Sequence, residues 1–258
     1  MNNIIANVSV VIPTFNRAEL LKRAVYSVIN QVEYSPLEII VLDDYSTDNT
    51  VEILEHLRKE SHVPIVFVPS HENVGPSRLR NKGIDLAKGD YVAFLDSDDL
   101  WLENKLCTFM NDLKTDNEIV IWSHHFSANE NEKKLSSEVK VIPFWKQLLK
   151  NHASCSCTII KKSNIQKFSE DMKFNEDHEL FTRISFSNSI YVNQSVLTIL
   201  NRGINEDGGL SGNIWKMRIG EMRTYFKVFS YFPMVIFFLP ALIIFSMIKH
   251  VRLVLRRL

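Results

Sequence analysis

A rhythm in the first hundred residues constrains this chain more than any other feature. Short runs of apolar, largely β-branched residues alternate with stretches of helical periodicity. "VSVVIPT" (Val8 to Thr14), closed by Pro13, is followed by "RAELLKRAVYSVINQ", whose Leu20, Leu21, Ala24, Val25, Val28 and Ile29 share one helical stripe. "LEIIVLDD" precedes "STDNTVEILEHLRKE", which opens with capping residues and carries Val51, Leu54 and Leu57 inward. "PIVFVPS" precedes "PSRLRNKGIDLAKGD", a helix closed at Gly89, and "YVAFLDSDD" is a fourth strand. Uninterrupted apolar strands separated by helices need cover on both faces. The expected fold is therefore α/β, a mostly parallel sheet flanked by helices.

Such sheets bind ligands at the carboxyl ends of their strands. Two acidic groups fall there: Asp43 and Asp44 after the second strand, and Asp96, Asp98 and Asp99 after the fourth. Three carboxylates within four positions repel one another, and burying them unpaired costs several kcal/mol. A metal ion, cationic side chains or water must resolve the conflict. The first strand-to-helix turn, "IPTFNRAEL", has no glycine, and neither G-x-G-x-x-G nor a Walker A loop occurs. A diphosphate bound here would need a metal ion rather than a glycine-rich cradle.

Lys plus Arg equals Asp plus Glu, 30 against 30, so charge offers no reason to expect a nucleic-acid partner. Beyond Glu221, however, the chain has only positive charges: Arg223, Lys227, Lys249, Arg252, Arg256 and Arg257. The three cysteines, Cys107, Cys155 and Cys157, have no zinc-finger spacing and read as reduced thiols of a cytosolic protein. The opening "MNNIIANVSVVIPTFNR" is not expected to be a signal peptide, since it lacks a basic start and a long apolar core. Residues 104 to 150 are less regular, with a polar loop at "SANENEKKLSSE" and a short helix at "VIPFWKQLLKN". A strand at "SCTIIKKSNI", a helix from "NEDHELFTRIS" and a further run, "IYVNQSVLTILNR", come next.

From Val228 to Ile248 no residue is charged, a stretch of about 30 Å if helical, close to one hydrocarbon thickness. Pro233 and Pro240 interrupt it, and basic residues flank both ends. "MIKHVRLVLRRL" places Ile248, Val251, Val254, Leu255 and Leu258 opposite Lys249, Arg252 and Arg256, the pattern of a basic helix lying in a membrane interface. A proline-broken hairpin or an in-plane helix pair suits both flanks; the plainer reading is a helix packed on the protein's own core.

Four segments in order, "VSVVIPTFNRAELLKRAVYSVINQ", "LEIIVLDDYSTDNTVEIL", "NVGPSRLRNKGIDLAKGDYVAFLDSDDLW" and "NEDHELFTRIS", resemble the inverting family 2 glycosyltransferases of GT-A fold, over residues 8 to about 215. The resemblance implies a Rossmann-like GT-A domain over 1–221, with a nucleotide-binding half (1–103) and an acceptor-binding half (104–221). A membrane-associating helical tail would occupy 222–258.

By that resemblance Pro13, Thr14 and Phe15 line the base, Asp44 accepts from the uracil imide, and Asp43 supports the loop. An ionised carboxylate is acceptor-only, which suits an imide N–H. The family's usual glycine is Tyr45 here. Asn73, Gly75 and Arg80 lie in a segment beneath the nucleotide, where Arg80 either pairs with the acidic cluster or serves the fold. "DSDD" resembles the family's D-x-D motif. Asp96 and Asp98, or Asp98 and Asp99 in a shifted register, would hold the ribose and a Mg²⁺ or Mn²⁺ ion, hard cations that take oxygen ligands. "NED" resembles the motif that carries the general base, with Asp177 first choice and Glu176 second. Arg202 and Ser211 resemble a segment that closes over the pyrophosphate, with Asn201 replacing the usual tyrosine. His124, His125 and His178 have no zinc-protease spacing and are not expected to bind metal.

The resulting expectation is a metal-assisted transfer of a hexose or N-acetylhexosamine from a UDP-sugar to a saccharide or lipid-linked saccharide acceptor in surface polysaccharide synthesis. The tail would hold the enzyme at the cytoplasmic face of the inner membrane. The alternatives are a nucleotidyltransferase, against which the glycine-free first turn argues, and an inactive sugar-nucleotide-binding protein, against which the intact "DSDD" and "NED" argue.

Overall fold

The structure is a computed structural model that describes residues 6–129, 131–132, 134–201 and 214–255. Its first hundred residues follow the alternation in the sequence. β1 (Val8–Thr14), α1 (Ala18–Ile29), β2 (Glu38–Asp43), α2 (Thr50–Glu60), β3 (Ile65–Pro69), α3 (Pro76–Leu86) and β4 (Tyr91–Phe94) succeed one another. β1 pairs in parallel with β2 on one side and β4 on the other, and β2 pairs in parallel with β3. α3 ends at Leu86, before the expected Gly89. Gly89 instead lies where a Cβ would be 2.7 Å from the Asn7 carbonyl oxygen and the Ser9 nitrogen.

The parallel part stops at β4. The stretch that looked irregular in sequence holds β5 (Leu100–Trp101), α4 (Lys105–Thr115), β6 (Ile121–Ser127) and β7 (Val139–Ile142), followed by α5 (Phe144–Leu149). β8 (Ile159–Lys161), α6 (Glu176–Ser185) and β9 (Ile190–Ile199) complete the domain. The single sheet of nine strands runs β3-β2-β1-β4-β8-β6-β9-β5, with β7 on β9. β8 runs antiparallel to both β4 and β6, while β6 and β9 are parallel. The sheet is thus parallel in its first half and mixed in its second.

Side chains alternate across β1 with the two-residue strand period. Val8, Val10 and Ile12 join a core with α1, α2 and α4, including Leu21, Leu54 and Phe109. Val11 faces the other way, into a core with α3 and α6 that holds Leu79, Leu180 and Phe181. Each fully buried side chain of this size contributes about 1.5–3 kcal/mol. α3 lies very close to the sheet, because a Cβ at Gly83 would stand 2.4 Å from Val11 Cγ1 and 3.1 Å from Leu42 Cδ1.

α7 (Ile214–Tyr231) runs continuously through the 221/222 boundary expected from sequence. A 3₁₀ segment, Pro233–Phe238, and α8 (Leu239–Leu255) follow, so the uncharged stretch is broken at its first proline. Pro240 sits in the first turn of α8, where its missing N–H costs nothing. α8 folds back on α7: Leu242 joins Tyr225, Val228, Phe144 and Leu148 in a third apolar cluster. Buried Glu221 accepts from Tyr225 Oη at 2.9 Å and from Ser246 Oγ at 2.6 Å, and pairs with Arg218. Among the described residues no helix is long and apolar enough to cross a membrane. The basic face expected from Lys249, Arg252 and Arg256 lies outside the described side chains.

Candidate active site

The chain leaves β1 towards β2 and β3, then returns to β4 on the far side of β1. The crevice beyond the carboxyl ends of β1 and β4 is therefore the topological switch point, where open α/β sheets bind ligands. β1 delivers Pro13 and buried Thr14 to it, and Phe15 follows, exposed. Thr14 Oγ1 is buried without a hydrogen-bond partner among the described residues, a polar atom left at the crevice floor.

The turn after β2 is tied to the turn after β1. Asn16, at φ +50°, donates its N–H to Ser46 Oγ at 2.8 Å and accepts from Thr47 N–H at 2.7 Å through its side chain. Asp48 accepts from the N–H groups of Ala18 and Thr50, both at 3.1 Å, which caps α1 from a distant loop. Asp43 is buried and accepts from Ser46 N–H at 3.1 Å and from the Ser46 hydroxyl. Asp44, also buried, holds the next loop, with Val74 N–H at 2.6 Å on one oxygen and Gly75 N–H at 2.9 Å on the other. Both carboxylates are thus occupied in part by the loops they join, each oxygen keeping a second acceptor site. Tyr45 has φ +69°, so it adopts the left-handed backbone that glycine adopts freely, at a cost of about 1–2 kcal/mol. Gly75, at φ +85° and ψ 161°, is in a region that essentially only glycine occupies, although a Cβ there would meet nothing.

Arg80 joins the two acidic motifs. Its guanidinium donates to Asp96 Oδ1 at 2.6 Å and to Glu176 Oε1 at 3.1 Å. It is 5% exposed and lies over the Phe168 ring. The choice left open in sequence is resolved in favour of pairing. Asp98 pairs with Arg17, while burial raises its carboxyl above the ordinary range. Asp99 turns inward, accepting from Ser156 Oγ at 2.5 Å and from Asn201 N–H at 3.1 Å, and burial pushes its carboxyl up to about 7. Ser156 also receives the Asp96 N–H at 3.1 Å on its hydroxyl, so one serine braces both ends of "DSDD". Its carbonyl accepts from Trp101 Nε1 at 3.0 Å and from the fully buried Lys105 Nζ at 2.7 Å. The crowding of the three aspartates is resolved here by two arginines and a serine.

Asp177 is the second residue of α6, whose cap, Asn175, is at φ +58° and donates from its side chain to the Met217 carbonyl at 2.9 Å. Asp177 is half-buried, and burial, with Glu176 beside it, pushes its carboxyl up to about 7. Asn151 Nδ2 donates to Asp177 Oδ2 at 3.1 Å. Asn151 is in turn held by Gln147 Nε2 at 2.9 Å, and the Gln147 carbonyl meets His178 Nε2 at 2.7 Å. His124 is buried against the His125 carbonyl, and burial lowers its pKa well below the ordinary value. Among the described residues no three His, Cys, Asp or Glu side chains converge to hold a metal ion by themselves. Arg202 and Ser211 lie outside the described residues.

Sequence reasoning missed Arg17, Gln147, Asn151 and Ser156. The last three sit in or beside the short α5 and the loop "NHASCSC", where no periodicity marks them. Because Asn151 donates to the ionised form of Asp177, Asn151→Ala should raise the Asp177 pKa. The Asp177 carboxyl should then titrate at higher pH, a shift that carbon-13 NMR of the side chain from pH 5 to 9 will read.

Residues 9–188 match the profile described as Glycosyl transferase family 2. Among curated proteins, the GalNAc(5)-diNAcBac-PP-undecaprenol beta-1,3-glucosyltransferase of Campylobacter jejuni is 42% identical over 102 residues, 40% of this chain and 33% of that protein. The UDP-Glc:alpha-D-GlcNAc-diphosphoundecaprenol beta-1,3-glucosyltransferase WfaP of Escherichia coli is 28% identical over 178 residues, 69% of each. The chain thus spans about a third of the length of the first relative. Among solved structures, S. aureus TarS in complex with UDP-GlcNAc superposes with a TM-score of 0.69 at 20% identity, over 86% of this chain and 66% of that one. The mannosyltransferase PcManGT from Pyrobaculum calidifontis, in complex with GDP-Man and Mn2+, gives 0.67 at 18% identity, over 93% and 73%. At these identities the superpositions establish a shared fold.

Proposed function

The chain belongs to glycosyl transferase family 2, and from that premise we propose that it is an inverting glycosyltransferase that moves a hexose or N-acetylhexosamine from a UDP-sugar to a polyprenyl-diphosphate-linked saccharide. The observation that carries the reading is Arg80, whose single guanidinium spans Asp96 and Glu176 and so supports a shared crevice for "DSDD" and the base-bearing turn. The names of the C. jejuni and E. coli relatives support the lipid-linked acceptor, and the UDP-GlcNAc bound to TarS supports a UDP-linked donor.

In this reading the loops ending β1 and β2 receive the uracil, with Asp43 and Asp44 holding them in register. Asp96 and Asp98, each paired with an arginine through one oxygen, would hold a divalent cation through the other, since carboxylate oxygens are hard donors and such an ion keeps further positions for diphosphate and water; Asp99 braces the loop. The Mn2+ in PcManGT supports such an ion, which would neutralise charge on the departing diphosphate. Asp177 takes the proton of the acceptor hydroxyl as that oxygen bonds to the anomeric carbon. The bond from that carbon to the UDP oxygen breaks in the same displacement, inverting the centre. A carboxyl near 7 suits this task better than an ordinary one, because base strength rises with pKa while half the population stays ionised at neutral pH. Asn151 orients the carboxylate, and Arg80 keeps Glu176 paired so that it does not compete. The apolar C-terminal segment would keep the enzyme beside its acceptor at the cytoplasmic face of the inner membrane.

Titration with UDP by calorimetry should show binding that strengthens at least about tenfold when Mn²⁺ is added, the worth of about 1.4 kcal/mol. Incubation with a panel of UDP-sugars should release UDP from one of them. UDP binding indifferent to metal would remove the ion from the account, and no UDP binding at all would remove the nucleotide.

A further inference from the structure

α5 and α6 lie antiparallel, and their two ends differ in chemistry. At one end Gln147 meets His178 and Asn151 meets Asp177. At the other end Phe144 packs on Phe186, centroids 5.3 Å apart, and Phe186 stacks on Phe232 at 3.6 Å. Trp145 packs on Phe238 of the 3₁₀ segment at 4.9 Å. This aromatic end is not closed over: Trp145 is 45% exposed, Phe238 48%, Met234 55% and Phe237 84%. Lys146 on α5 is exposed beside Trp145, and Lys150, which directly follows α5, is exposed as well. Neither residues 139–152 nor residues 222–258 contain any Asp or Glu.

We infer that this composite face of α5, the Phe186 end of α6 and the 233–238 segment docks on an anionic phospholipid bilayer. The charge argues for lipid. Aromatic residues beside lysines, with no acid in either segment, are what an anionic interface attracts. The docking does not depend on the proposed glycosyltransferase reading.

Flotation of the full chain with phosphatidylcholine vesicles, with and without phosphatidylglycerol, tests the proposal. The chain should float with the anionic vesicles and much less with the neutral ones. Lys146→Glu/Lys150→Glu, both exposed and remote from the fold's core, should lower anionic partition by about tenfold or more, taking about 1 kcal/mol per lysine near the surface. Trp145→Ala/Phe237→Ser should do the same, and fluorescence of Trp145, isolated by difference from Trp145→Phe, should be quenched by brominated lipid. UDP affinity, measured alongside, should stay unchanged in all these variants. No flotation, flotation that the variants leave intact, or a dimer that the variants dissolve into monomers would each overturn the docking surface. Flotation without any UDP binding would leave the surface standing and overturn the catalytic reading alone.

Discussion

Asp177→Asn should lower the transfer rate by about 10²–10⁴-fold, the usual contribution of a positioned base, while leaving UDP affinity nearly unchanged. The amide keeps the shape and the contact with Asn151 but cannot take a proton. In the parent protein the rate should rise with pH through about 7, the value to which burial pushes this carboxyl, and the mutant's residual rate should lose that dependence. Stability should move the opposite way. A carboxyl whose pKa is raised by folding binds more protons folded than unfolded between about 4 and 7, so it favours the fold at low pH, an advantage lost as pH rises through 7. The variant should therefore be relatively more stable than the parent above pH 7, and less so below pH 4. Denaturant melts at pH 5 and 8 check this. Normal turnover by the variant would remove Asp177 as base and bring Glu176 forward.

Arg80→Ala should be the most destabilising single change at the site. Removing the partner of a buried ion pair leaves uncompensated charge and costs about 3–5 kcal/mol. In a domain of this size that lowers Tm by roughly 10 °C. Thermal melts at neutral pH should show the loss. Arg80→Lys keeps the charge but cannot span both carboxylates, so it should fall between the two in stability and still lose activity. A melting point unchanged in Arg80→Ala would mean that the bridge contributes nothing to the fold.

Much of this architecture is legible in the residues themselves. Apolar strands, stripes at Leu21, Val25 and Val28, and acids at strand ends define the first half and place "DSDD" in the crevice. α4 carries the same kind of signal at Leu106, Phe109, Met110 and Leu113, a regular helical face overlooked among polar neighbours. β6 is harder to see because its run breaks at His124 and His125, where the register with β9 shifts. β5 has two residues and no pattern to find. The site's second tier is illegible for a different reason. Ser156 and Asn151 act through hydrogen bonds to residues more than twenty positions away, and only the folded chain brings such partners together. The C-terminal segment is apolar on several sides, so its sequence does not reveal that Glu221 and Ser246 fasten α8 to α7.

Gly83 takes no part in the chemistry, yet it sits one turn after Arg80 on a helix pressed against Val11 and Leu42. Any side chain there must lift α3 from the sheet, and the guanidinium travels with the helix. The electrostatic link between the two walls of the crevice is therefore only as fixed as a van der Waals contact on the helix's underside. A survey of inactivating substitutions would meet this glycine in the same list as the charged residues, though it never touches a ligand.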